Sequence, residues 1–122
     1  MIGSLHQRNL QAAVADGVSR EVRQAALRAG LRVTVPATVI TEWWRGRTDL
    51  REDILASVRV EPLTETVARL AGEALSQVKG STAIDAIVMA SAALRGDVVY
   101  TSDVDDLDRL RAHFPGARVL GV

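Results

Sequence analysis

Apolar positions along this chain switch between two spacings. Val18, Val22, Ala25, Ala26 and Ala29 recur at intervals of three and four, the period of one helix face. The first 30 residues therefore read as helical, in two pieces divided near Gly17 and ended by Gly30, since glycine readily takes the left-handed turn past a helix end. Leu31-Arg-Val-Thr-Val35 alternates apolar and polar with β-branched residues, which predicts a strand. Pro36 then opens a helix through Trp44 that stops at Gly46, because proline suits a first helical turn. Leu50 to Ala56 reads as a short helix, and Val58-Arg-Val60 as a second strand closed by Pro62. Thr64 to Val78 carries the clearest helical stripe, through Val67, Leu70, Ala71, Ala74, Leu75 and Val78. Thr82 to Leu94 is apolar on every side, so a buried helix is expected. Asp97-Val-Val-Tyr-Thr101 predicts a third strand. Asp103 to Phe114 predicts a helix with Leu107, Leu110 and Phe114 inward, and Ala117 to Leu120 a last short strand.

Strands alternating with helices imply an α/β fold, a parallel sheet covered on both faces. In such sheets the chemistry sits beyond the carboxyl ends of the strands. With 122 residues, no repeat and no linker-like tract, residues 1–122 read as a single domain. No apolar run approaches the roughly 18 residues of a membrane span. The chain has no cysteine, which removes disulfides, a thiol nucleophile and cysteine-ligated metals, and suits a reducing cytoplasm. Net charge is zero, so no global basic field draws the chain to nucleic acid. Residues 1–60 hold nine basic and six acidic side chains, while residues 61–122 hold six and nine. Fourteen of the fifteen basic residues are arginine, a bias assigned to genome base composition rather than to binding.

Three acidic groups fall at the expected strand ends. Glu42 lies in the helix after the first visible strand, Asp85 in the first turn of the buried helix, and Asp103, Asp105 and Asp106 directly after the third strand. Converging carboxylates repel one another, and a divalent cation relieves that repulsion. Oxygen-only ligands suit Mg²⁺ or Mn²⁺, which activates water and clamps phosphodiester oxygens. Bland roles compete. Thr82-Ala-Ile-Asp85 has capping-box spacing, Asp103 is a good N-cap and Asp105 fits a similar cap, and Glu42 has Arg45 at i,i+3. Yet Asp85 is the one charge in an otherwise apolar helix, and Glu42 stands among Val39, Ile40, Trp43 and Trp44. A buried carboxylate needs a partner.

Other residues carry less. His6 and His113 lack ligand spacing, Ser81 and Ser102 lack a nearby histidine, and no Gly-rich phosphate loop is present. Trp43 and Trp44 suit base stacking, but a helix burying at least one of them in the core is the simpler reading. Arg45 and Arg47 default to solvated surface, with contact to substrate phosphate as their functional role.

Taken in order, Val35-Pro-Ala-Thr-Val-Ile-Thr-Glu42, Asp85-Ala-Ile-Val-Met-Ala-Ser-Ala-Ala and Val99-Tyr-Thr-Ser-Asp-Val-Asp-Asp-Leu107 resemble PIN-domain ribonucleases, most of all the VapC toxins of bacterial toxin–antitoxin pairs. The similarity runs from about Gly30 to Val122. It implies a three-layer α/β/α sandwich with a central parallel sheet, and an acidic quartet that binds Mg²⁺ or Mn²⁺ and hydrolyses RNA. The second acid of that quartet matches Glu42, the third Asp85 and the fourth Asp103. An auxiliary acid matches Asp105, or less clearly Asp106, and Thr101 matches a hydroxyl residue beside the fourth acid. The resemblance also implies a VapB-like antitoxin as partner and a homodimer.

One departure stands out. The family opens with a central strand bearing the first acid, and here Met1-Ile2 aligns with the end of that pattern. The first strand and its aspartate are expected to be absent from this chain. Asp16 does not replace it, because residues 1–30 read as helical. A start placed too late, a degenerate toxin, or a strand supplied by another chain would each account for this. The leading expectation is a metal-dependent endoribonuclease toxin using Glu42, Asp85 and Asp103 with help from Asp105. The alternative is a degenerate or truncated module that binds its antitoxin without cleaving RNA. A receiver-like domain fits poorly, because its first-strand acids are lacking and Lys79 sits in a loop.

Overall fold

Val33 and Val35, which alternate with polar neighbours, do form a strand, and it lies in a sheet whose centre was not expected. The computed structural model describes residues 11–14, 24, 28–30, 32–44, 52, 55–56, 58–101 and 104–121. Its strands are β1 (Gln11–Val14), β2 (Arg32–Pro36), β3 (Arg59–Glu61), β4 (Val98–Thr101) and β5 (Arg118–Gly121). All neighbours pair in parallel, in the order β3-β2-β1-β4-β5. The helices are α1 (Ala37–Trp43), α2 (Glu65–Gln77), α3 (Ala83–Arg95) and α4 (Val104–Asp108), with a 3₁₀ turn at Arg111–His113. This is the α/β arrangement that alternating periods imply.

The expectation of a missing first strand is corrected here. The central place is held by Gln11–Val14, with Ala12 in register with Val33 on one side and Val98 on the other. Residues 11–14 were expected to be helical. Gln-Ala-Ala-Val has no β-branched run to announce a strand, and pairing on both edges overrides its weak local preference. The later part of the expected helical region agrees better: Gln24 and Arg28 are helical and Gly30 takes φ +72°.

The expected helix at Leu50 to Ala56 lies largely outside the described residues, and the other strands and the helices at 37–43, 65–77 and 83–95 fall within a residue or two of expectation. Thr64 caps α2, its Oγ1 accepting from the Val67 N–H at 3.2 Å, and the stripe buries Val67, Ala71 and Ala74. Thr82 caps α3 in the same way through the Asp85 N–H, at 3.1 Å. Helix α3 is central, packing on α1, α2, α4 and three strands. It buries Ala86, Val88, Met89, Ala90, Ser91 and Ala92, but Leu94 is 56% exposed, so the helix is not buried on every side. The helix expected from Asp103 to Phe114 is broken. After α4 the bonds tighten to i→i+3, at Leu110 on Leu107 and Phe114 on Arg111. Pro115 then disfavours helix at Phe114. Leu107, Leu110 and Phe114 are buried as expected.

Candidate active site

Parallel strands point their carboxyl ends one way, and the elements that follow them collect there. Pro36 ends β2 and is the N-cap of α1, so α1 starts at that edge. Helix α3 leads into β4 through Gly96 and Asp97 and packs along β1, β2 and β4. It runs back against the strands, and thirteen residues at about 1.5 Å each return its first turn to the edge where β4 finishes. Helix α4 follows β4 at the same edge and packs on α3 and β5.

Glu42 stands in the second turn of α1, exposed to solvent, and α1 packs against α3. Asp85 is half-buried in the first turn of α3. The Thr82 cap takes the backbone N–H of Asp85. Asp105 is exposed in the first turn of α4. Asp106 is engaged by Arg109 at 2.6 Å, whereas Asp105 forms no ion pair among the described residues. Thr101 is buried at the end of β4.

Several expected residues lie outside the described ones: Asp103 and Ser102, Arg45 and Arg47, His6, and Asp16. Asp16 follows the last residue of β1 by two, so the reason for setting it aside no longer holds. Among the described residues, no three His, Asp or Glu side chains come together on one ion. The donors at this edge are all oxygens, from Glu42, Asp85, Asp105 and nearby hydroxyls, and such hard ligands suit Mg²⁺ or Mn²⁺. Trp43 packs against the core, and its ring meets Trp44 edge-on at 6.3 Å and 72°. One tryptophan serves the core, as expected.

Two features had no clear sequence signal. Among the described residues, the hydroxyls of Thr38 and Ser81 are shielded from solvent and have no hydrogen-bond partner. At the far end of α3, a polar network ties three elements together. Arg95 binds Glu61 and reaches Asp97 Oδ2 through Nε at 2.6 Å. It also donates to Ser91 Oγ at 2.9 Å, and Ser91 donates to Glu61. Burial pushes the Asp97 carboxyl above its ordinary value, while the Arg95 hydrogen bond and charge pull it back. The i,i+4 spacing of Ser91 and Arg95 was visible, but Glu61 is 30 and 34 residues away from them.

No helix among the described residues is long and apolar enough to cross a membrane. The PIN domain family profile matches residues 11–112. No curated protein matches the sequence. Among solved structures, a chain of DNA-bound VapBC from Salmonella typhimurium superposes with TM-score 0.72 at 15% identity, covering 92% of this chain and 98% of that one. A chain of VapBC2 from Rickettsia felis, bound to a promoter DNA fragment, gives 0.67 at 9% identity over 92% and 98%. A chain of FitAB bound to an IR36 DNA fragment gives 0.65 at 18% over 90% and 94%. At these identities the likeness is one of fold.

Proposed function

This chain belongs to the PIN domain family, and from that premise we propose that it is a metal-dependent endoribonuclease, the toxin of a toxin–antitoxin pair, hydrolysing RNA phosphodiesters. The observation that carries the reading is the convergence of α1, the first turn of α3 and α4 on the carboxyl edge of one parallel sheet. Those elements bear Glu42, Asp85 and Asp105, and Asp103 immediately precedes α4.

In this proposal Asp85 and Asp103 hold Mg²⁺ or Mn²⁺. Glu42 helps to hold the ion or orients the attacking water, and Asp105 assists through waters. The ion supplies charge neutralisation at the phosphate. Arg45 and Arg47 offset the repulsion between an acidic site and RNA. Residues 1–122 act as one cytoplasmic domain, a homodimer bound by a VapB-like antitoxin with Trp43 or Trp44 as anchor. The similar folds found in VapBC and FitAB complexes support such a partner.

RNA cleavage by the purified chain with Mn²⁺ or Mg²⁺ tests the proposal. Cleavage is expected to vanish with EDTA. It should fall at least about a hundredfold in Asp85→Asn and Asp103→Asn, with circular dichroism unchanged. Undiminished cleavage by Asp85→Asn overturns it. The second reading, a module that binds antitoxin without cleaving, draws on the finding that Glu42, Asp85 and Asp105 do not by themselves meet on one ion. Mn²⁺ titration by calorimetry separates the two, because binding that needs Asp85 and Asp103 counts against the module.

A further inference from the structure

Three of the four large apolar side chains left exposed among the described residues stand on or beside one edge strand. They are Val60 in β3, Leu63 just after it and Leu94 in α3, at 41%, 47% and 56% exposure, while the fourth, Leu120, is on β5. Strand β3 ends the sheet beyond β2, so its outer edge presents backbone N–H and C=O groups that no described strand pairs. Arg59 and Glu61 both line a cavity of about 300 Å³ together with Ser91, Leu94 and Arg95 of α3. That puts them on the α3 face of the strand and Val60 on the other face.

The charges at this edge are incomplete in a specific way. Glu61 and Asp97 share one guanidinium, that of Arg95, so the cluster is one positive charge short. Arg59 lines the same cavity, is exposed, and forms no ion pair among the described residues. Glu61 keeps 18% of its side chain open to solvent, so a further cation can reach it. Charges on an edge strand ordinarily repel an added strand. Here the order Arg59-Val60-Glu61 is its own complement. Antiparallel pairing with a second copy, centred on Val60, sets Val60 opposite Val60 and each Arg59 opposite the Glu61 of the other copy. Centring the pair on Arg59 or on Glu61 would oppose like charges instead. One register is thus selected, and a twofold axis closes it.

We propose that β3 is the interface between two copies of this chain, which join their sheets edge to edge across Val60. The inference gives an interface to the homodimer reading above and rests on it, and the experiment separates the two. Because the chain has no cysteine, a single introduced one reports the pairing. Directly opposed residues of an antiparallel pair stand about 4.5–5.5 Å apart at Cα, within disulfide reach. The full chain is purified as wild type, Val60→Cys, Leu120→Cys and Arg59→Glu. Mass in solution is measured by analytical ultracentrifugation, and cross-linking of the cysteine variants by non-reducing electrophoresis after mild oxidation. Wild type is expected to sediment as a dimer. Val60→Cys should become mostly disulfide-linked dimer, and Leu120→Cys, exposed on the opposite edge strand, should stay mostly unlinked. Arg59→Glu sets like charges opposite each other twice and should weaken dimerisation about tenfold, with circular dichroism unchanged. If wild type is a dimer but Val60→Cys links no better than Leu120→Cys, or Arg59→Glu dimerises equally well, the β3 interface falls and the homodimer reading stands. A monomeric wild type overturns both.

Discussion

The two ends of α3 hold polar groups by different means. At its C-terminal end, Ser91, Arg95, Glu61 and Asp97 form one network in which a single guanidinium serves two carboxylates, while Arg95 Nη2 and Asp97 Oδ1 have no hydrogen-bond partner among the described residues. At its N-terminal end, Asp85 stands half-buried in the first turn and its backbone N–H is taken by the Thr82 cap. Carboxylates that hold a fold together are neutralised inside it, because an uncompensated buried charge is costly. The contrast is between a side-chain network built from three separate elements and a cap built from neighbouring residues.

Removing the cation at the structural end should have the largest effect on the comparison. Arg95→Ala removes the guanidinium that binds both Glu61 and Asp97, and urea unfolding is expected to show a loss of about 3–5 kcal/mol. Mn²⁺ affinity, measured where the variant is still folded, should be unchanged, since ten residues of helix separate Arg95 from Asp85. A fall in Mn²⁺ affinity matching the stability loss would erase the division between the ends. Thr82→Ala acts at the other end. Loss of its cap bond to the Asp85 N–H should cost about 1 kcal/mol and also weaken Mn²⁺ binding, by loosening the turn that carries Asp85. The smallest effect concerns pH. The folded state raises the Asp97 carboxyl above its ordinary value of 3.8, chiefly through burial. Its contribution to stability is therefore fully present below that value and is lost as pH rises through the raised one. Asp97→Asn lacks this component, so the stability of wild type relative to the variant should decline with rising pH just above the ordinary carboxylate range. Parallel pH profiles in urea unfolding would refute the assignment.

Much of this architecture is legible from local patterns. Helices α2 and α3 announce themselves by their stripes and by Thr64 and Thr82, whose cap bonds form as their spacing implies. Strands β2, β4 and β5 follow from short β-branched runs between turn residues. Glu42, Asp85 and Asp105 stand on α1, α3 and α4, and among the described residues no three acids gather on one ion. Asp103 lies outside the described residues. Two things escaped. Strand β1 did, because Gln11-Ala-Ala-Val14 acquires its conformation from β2 and β4 rather than from its own side chains. The Glu61–Arg95–Asp97 network did as well, because its members are neighbours only once β3 lies against α3.

Element types, caps, the inward faces of the helices and the set of candidate acids are properties of residues within a few turns of each other, governed by spacing and propensity, and so can be read along the chain. The central strand, the pairing of Arg95 with Glu61, and the shielding of the Thr38 and Ser81 hydroxyls depend on segments distant in sequence. Hydrogen-bond pairing and desolvation act through space, and a one-dimensional pattern holds no record of which groups will be brought together or cut off from water.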